Sequence, residues 1–328
     1  MRVCVVGAGA IGSLIATKLH LAGEHVSVID KGATLAAIKG NGLRLEWDDG
    51  AVYETRIDAY GGGADAGKQD LVILAVKAYD LDEVARDLRA LLHRDTMVMT
   101  LQNGIPWWYF QRHSGPLDGT RLRSVDPSGI LSDTIEADRI IGCVAYPAAT
   151  VVAPGVVRHI EGNRFPVGEL DGAETERAKG VVTAFTRAGF KSRVIDDIRD
   201  ELWLKAWGSV SFNPISALSH ATMAGICRLP ETRALAAVLM LEAQSIALKL
   251  GITFRHTIEE RLLGAEKVGE HKTSMLQDWE GSNQLEVEAL VGAVLEMGRL
   301  TGTATPGIEA IYALTKLLDQ TTQAARRQ

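Results

Sequence analysis

Near the start of the chain, Gly7-Ala8-Gly9-Ala10-Ile11-Gly12 sets three glycines in the spacing G-x-G-x-x-G, between an apolar strand pattern and an apolar helix pattern. That spacing suits a phosphate cradle. Gly7 permits a tight turn, Gly9 lets the backbone approach a pyrophosphate, and Gly12 lets helix and strand pack closely. A helix opening near Ile11 aims free N–H groups and its positive dipole end at the same point. Asp30 ends the next strand pattern, about 20 residues beyond the motif, where a carboxylate can hold the adenosine ribose hydroxyls of a dinucleotide. A carboxylate there favours NAD, because it repels a 2′-phosphate. Asp30 also reads as a cap for a helix or turn, and Lys31 beside it could pair with that phosphate.

A cradle of this kind needs a strand in front of it and a sheet beside it. The sequence supplies both. Residues 2–7 and 25–30 read as strands around a helix at 11–21, followed by a strand at 70–76, a helix at 81–92 and a strand at 96–101. Continuous Val/Ile/Leu runs separated by helices predict a parallel sheet covered on both faces, and right-handed crossovers make it doubly wound. Residues 104–138 loosen into a long loop carrying Pro106-Trp107-Trp108-Tyr109-Phe110, a run that could cover a cleft, pack on a substrate or build an interface. Segments 140–145, 155–160 and 165–168 read as strands or a hairpin, and 174–188 as the last helix of this domain. Beyond Val194 strand signals cease, and helices are predicted over 197–212, 231–250, 258–266, 282–300 and 308–325. The expected fold is an α/β Rossmann-type doubly wound domain over residues 1–194, followed by an all-α domain over 195–328, with a cleft between them.

Composition narrows the function classes. The 328 residues are 46% hydrophobic and 23% charged, as in an ordinary soluble globular protein. A net charge of −6 without a basic tract argues against nucleic acid as a partner. No apolar run approaches the roughly 20 residues that span a bilayer, and residues 1–6 lead directly into a strand, leaving no room for a signal peptide. Cys4, Cys143 and Cys227 lie far apart and read as small core residues in a reducing cytoplasm. The eight histidines show no metal-ligand spacing, and none is expected to hold a metal.

Several short segments, in order along the chain, give the sequence a family resemblance. They are Gly7–Gly12, Val76-Lys77-Ala78-Tyr79-Asp80, Gln102-Asn103-Gly104, Glu201-Leu202-Trp203-Leu204-Lys205 leading to Asn213-Pro214, and Ser274-Met275-Leu276-Gln277-Asp278 followed by Leu285-Glu286-Val287-Glu288. Their order and spacing resemble the ketopantoate reductase (2-dehydropantoate 2-reductase) family. The resemblance implies the Rossmann-plus-helical fold and reduction of a 2-keto acid to a 2-hydroxy acid by NADPH.

Carried over residue by residue, the resemblance implies that Lys205 is the catalytic lysine, donating a proton to the ketone oxygen as hydride reaches carbon. Its neighbours Trp203, Leu204, Ala206 and Trp207 make a poor setting for a solvated charge, and burial would bring its pKa toward neutrality. Glu286 matches the glutamate that binds the substrate hydroxyl and assists the lysine. With Leu290, Ala293 and Met297 four, seven and eleven positions on, Glu286 heads an apolar stripe, and a helix-start charge is the alternative.

Asn103 is implied to lie near nicotinamide and substrate, though Asn-Gly is also a simple turn. Lys77 is implied to line the cofactor cleft. Ser274 matches a substrate-bonding serine, or else an N-cap. Asn213 precedes Pro214, which disfavours continued helix and could bend the backbone so that the amide faces the cleft. Where the family carries asparagine one turn after the lysine, this chain has Ser209, which offers a shorter, single-donor contact to substrate. The expected partner is a small 2-keto acid, with a homodimer suggested by the apolar C-terminal helices. A paralogous keto-acid reductase and a non-catalytic dinucleotide sensor are the other readings.

Overall fold

The computed structural model describes residues 1–326. They form two compact units: Met1–Gln102, Trp107–Arg121 and Ser128–Ile198 in the first, and Asn103–Pro106, Leu122–Pro127 and the described residues from Arg199 onward in the second. A single cut at 194/195 therefore misses two short excursions, 103–106 and 122–127, that join the later unit.

The strands of the first unit are β1 (Arg2–Val6), β2 (His25–Ile29), β3 (Leu43–Glu46), β4 (Val52–Thr55), β5 (Asp58–Tyr60), β6 (Gln69–Leu74), β7 (Leu92–Thr100), β8 (Ile140–Cys143), β9 (Ala148–Ala153), β10 (Val156–Glu161), β11 (Arg164–Gly168) and β12 (Lys191–Val194). Eight of them form one sheet in the order β12-β11-β8-β7-β6-β1-β2-β5. From β5 to β8 all neighbours are parallel, and β11 then pairs antiparallel to β8. The four terminal residues of β1 and of β6 are buried in unbroken runs, as strands covered on both faces require. Leu14, Ile15 and Leu19 of helix Ala10–Leu21 share the core with Val3, Val5, Leu71 and Ile73.

Of a second sheet, β4-β3-β10-β9, the expected element order contains only β10, the segment 155–160. The segments 140–145, 155–160 and 165–168 are strands, as expected; β10 forms a hairpin with β9, turning through Gly155, and β3 pairs antiparallel with β4. Leu43, Leu45 and Val157 bury one face of this sheet in the same core as Leu14. The other face is solvated, and β3 and β4 each contribute only two apolar residues to a sequence pattern. β5 and β12, three and four residues long at the edges of the main sheet, have no counterpart there either.

The aromatic run is core. Trp107, Trp108, Tyr109 and Phe110 are all at most 2% exposed, so they cover no cleft and present no interface. The Trp108 indole N–H donates to Thr100 Oγ1 at 2.9 Å, which satisfies its one polar atom.

The second unit is helical: Ile198–Ser219, Met223–Arg228, Pro230–Lys249, Ile258–Lys267, Ser274–Glu280, a π-helical turn Glu288–Gly292, Ala293–Leu300 and Pro306–Arg326. Two expectations fail. The first helix does not stop at 212 but runs through Pro214 to Ser219. A proline inside a helix costs about 3 kcal/mol. Phe212, Ile215 and Ala217 are buried around it, and that burial outweighs the lost N–H bond. The helix expected over 282–300 begins late, because Ser282 adopts the left-handed conformation (φ 62°) and Asn283 N–H closes back onto Asp278 O at 2.7 Å. Helical structure resumes at Val287, one residue past Glu286. From Ala289 to Leu295 every residue is buried, so no single apolar stripe exists for Glu286 to head. Among the described residues no helix is long and apolar enough to cross a membrane.

Candidate active site

The chain leaves β1 at Gly7, whose N–H donates to Ile29 O of β2 at 2.9 Å. Gly7 has φ +97°, and a Cβ there would stand 2.7 Å from Val76 Cγ1 and 2.8 Å from Val76 N, so only glycine fits. A Cβ on Gly12 would stand 1.9 Å from Gly7 O, the close helix–strand approach expected of that position. Gly9 differs. It is exposed, and its Cβ position has nothing within 4 Å. Gly9 also caps helix Ala10–Leu21, whose first turn carries no acidic residue to compete with an anion. By helix geometry the N–H groups of Ala10 and Ile11 lack intrahelical acceptors. Two glycines are thus locked by the protein while the third leaves room beside a helix N-terminus, and a pyrophosphate fits that cradle.

Asp30 follows β2 and braces the same turn. Its Oδ2 accepts the Ala8 N–H at 2.6 Å, and its Oδ1 accepts the Lys31 N–H at 2.7 Å. Capping the turn does not exhaust the carboxylate, which has about four acceptor sites. The Lys31 ammonium reaches across to Glu83 Oε2 at 2.8 Å. Lys77, half-buried, follows β6 and precedes the 3₁₀ turn Ala78–Asp80. Gln102 is a residue whose role sequence reasoning leaves unassigned. Its Nε2 donates to Leu74 O and Val76 O, both at 2.9 Å, tying the end of β7 to the end of β6 beside the glycine turn. Its position just past a central strand's carboxyl end is the available signal.

In the second unit, Lys205 projects from helix Ile198–Ser219 and donates from Nζ to Asn103 Oδ1 at 2.7 Å. Trp203, Ala206 and Trp207 around it are buried. The next two residues fix Asn103 in place. Gly104 has φ +85°, and a Cβ there would stand 2.1 Å from Ala289 O, while Ile105 N–H donates to that same carbonyl at 3.0 Å. Ala289 lies in the turn that opens after Glu286, where Leu290 N–H bonds Glu286 O at 3.1 Å. Glu286 is 5% exposed. Loop 103–105 is therefore clipped to the backbone just after Glu286 and bonded to Lys205, drawing three segments of sequence into one cluster.

Lys205, Ser209 and Asn213 fall at i, i+4 and i+8 on one face of their helix. The Ser209 hydroxyl donates back to Lys205 O at 3.1 Å, and Asn213 is buried within a helix that continues through Pro214 rather than ending there. Ser274 is exposed at the first position of Ser274–Glu280. The capping hydroxyl there belongs to Thr273, which accepts from Leu276 N. Among the described residues no hydrogen bond joins Ser274 or Asn213 to the Lys205 cluster, and no group of His, Cys, Asp and Glu could hold a metal ion. The three cysteines are buried and form no disulfide, and burial pushes the Cys4 thiol up to about 12.

Comparison with known proteins gives this arrangement its class. The family model described as ketopantoate reductase PanE/ApbA matches residues 3–172, and that of its C-terminal part matches residues 197–319. A 2-dehydropantoate 2-reductase of Mesorhizobium japonicum is 47% identical over 319 residues, 97% of this chain and 98% of that one. A putative ketopantoate reductase structure from Ralstonia solanacearum MolK2 superposes with a TM-score of 0.94 at 38% identity, covering 98% of each chain. The D-mandelate dehydrogenase complex with NADH and anilino(oxo)acetate shares the fold, with a TM-score of 0.84 at 22% identity over 98% of this chain and 99% of that one. The chain belongs to the ketopantoate reductase family, whose members are NAD(P)-dependent oxidoreductases.

Proposed function

We propose that this chain reduces 2-dehydropantoate, a 2-keto acid, to pantoate, and that residues 1–194 hold the dinucleotide while 195–328 carry the substrate chemistry. The observation that carries this reading is the 2.7 Å bond from Lys205 Nζ to Asn103 Oδ1, in a chain that matches a reductase of this substrate over nearly its whole length. When bound, the reduced nicotinamide supplies the hydride to the carbonyl carbon. Lys205 holds the proton that the carbonyl oxygen takes up as negative charge builds there. Asn103 aims the ammonium through a neutral acceptor, which orients it without opposing its charge.

The other roles follow the family pattern. Glu286 binds the substrate hydroxyl and assists Lys205. Ser209, Asn213 and Ser274 orient the substrate, and Asn103 and Lys77 also line the cofactor side. Gly7, Ala8, Gly9, Ala10, Ile11 and Gly12 form the cradle for the pyrophosphate. Asp30 and Lys31 face opposite ways on cofactor choice. The family pattern points to NADP(H), whereas the Asp30 carboxylate and the engagement of Lys31 by Glu83 favour NAD(H).

Buried thiols without a disulfide suit a reducing cytoplasm. Leu235, Val238, Leu241 and Leu248 line an exposed side of helix Pro230–Lys249, and a second copy of the chain would cover them in a homodimer, which sedimentation velocity would detect.

The test of function is steady-state oxidation of NADH and of NADPH with ketopantoate, alongside a panel of other 2-keto acids. Turnover of ketopantoate is the expected result. Turnover of a different keto acid alone would move the chain to a paralogous reductase, a reading favoured by Ser209, whose hydroxyl turns back to its own helix. Tight dinucleotide binding without turnover of any of them would favour a sensor.

A further inference from the structure

Lys31 places a cation beside Asp30 at the end of β2, where the 2′ position of an adenosine ribose would lie if the dinucleotide sits on the glycine cradle. Its ammonium is engaged by Glu83 Oε2 at 2.8 Å, and both side chains are largely exposed, at 73% and 68%. Glu83 comes from the first turn of helix Leu81–Leu88, which also carries Asp82 there and follows Asp80. The bond to Glu83, then the charges of Glu83, Asp80 and Asp30, hold the Lys31 pKa above its ordinary value. The ammonium is thus surrounded by carboxylates from two elements.

We propose that Glu83 is a specificity-determining residue for the dinucleotide: by holding Lys31 it withholds the cation that would bind a 2′-phosphate, tilting the enzyme toward NAD(H). The inference rests on the dinucleotide reading of the glycine turn. A 2′-phosphate must first displace the Glu83 carboxylate from Lys31 to gain the cation, whereas a 2′-hydroxyl meets Asp30 and needs nothing from Lys31. Glu83 acts through Lys31, so it is a positioning residue. Exposed ion pairs are weak, and the effect is correspondingly modest: removing the carboxylate should favour the phosphorylated ligand about two- to fivefold.

The probes are ADP-ribose and 2′-phospho-ADP-ribose, titrated calorimetrically into the full chain. Both lack nicotinamide, so the readout is independent of turnover. Relative to wild type, E83Q should raise affinity for 2′-phospho-ADP-ribose over ADP-ribose about two- to fivefold, and E83K should move the ratio further in the same direction. In a Lys31→Met background the E83Q shift should shrink to near nothing, an outcome that general loosening of the helix would not produce. An unchanged or reversed ratio in E83Q overturns the inference, as does an equal shift with Lys31 absent. Failure of wild type to bind either probe would overturn the dinucleotide reading and this inference together, whereas binding without a shift overturns the inference alone.

Discussion

Gly7 and Gly104 meet the same physical demand in two regions of the molecule: each has positive φ, and each is pressed against backbone that would collide with any Cβ. At the glycine turn the colliding residue, Val76, follows the strand next to β1, and parallel-sheet topology brings the two ends together once the strands are recognised. At the Lys205 cluster, Gly104 meets Ala289, and Asn103 meets a lysine 102 residues away. No local spacing announces that meeting. The first region is encoded in a contiguous motif, whereas the second is an assembly whose parts are each ambiguous alone. The first should therefore fail through its own backbone, and the second through loss of relative position.

The largest effect expected is at the chemical group itself. Lys205→Ala should lower kcat/KM for the keto acid by about 10²- to 10⁴-fold, the range for losing a general acid, while a dinucleotide titration still saturates. Unchanged turnover would remove Lys205 from the chemistry and leave the cluster a structural clip.

The cradle should break differently. Gly12→Ala forces a Cβ to within 1.9 Å of Gly7 O, so the helix must move away from the turn. The expected outcome is a loss of dinucleotide affinity of at least about tenfold and a stability decrease of about 1–3 kcal/mol, read by titration and by urea unfolding. Gly9→Ala, which meets nothing within 4 Å of its Cβ in the protein, should keep full stability and lose affinity only. Equal stability losses at the two positions would refute the assignment of Gly9 to the ligand side.

Gly104→Ala tests the assembled region. Its clash with Ala289 O and its positive φ should cost about 2–3 kcal/mol, and movement of Asn103 should lower kcat with little change in dinucleotide affinity. A pure stability loss with normal kcat would show that Asn103 does not set Lys205.

These contrasts track what can be read from residues alone. The central strands are legible because each is an apolar run buried on both faces, and the glycine turn because its chemistry is local. β3, β4 and β5 are not, being three or four residues long with at most one face buried. Trp107 to Phe110 mislead for the opposite reason: a core aromatic cluster sits in a segment rich in turn residues, and only tertiary packing distinguishes it from a lid. Pro214 signals a helix end that buried neighbours override. At 273–274 two capping-type residues adjoin, and the buried Thr273 rather than the exposed Ser274 takes the cap. Lys205, Asn103 and Glu286 are nameable only through resemblance, because nothing in their spacing shows that loop 103–105 lies between them.

Ser209 offers the finest test of the assembled region. It stands one turn beyond Lys205, and its hydroxyl bonds Lys205 O, as serine in a helix commonly does when no better partner is within reach. Restoring the family's residue with Ser209→Asn replaces a short back-bonded hydroxyl by an amide that reaches farther along the Lys205 face and carries both donors and an acceptor. If this face binds the hydroxyl of ketopantoate, the variant should lower KM about two- to tenfold, the worth of one neutral hydrogen bond, with kcat nearly unchanged, because the added contact forms equally in ground and transition states. If the natural substrate is a different keto acid, the same change should raise KM for that acid while improving ketopantoate. The KM ratio of the two substrates in the variant then reports which substrate this face of the helix is shaped to hold.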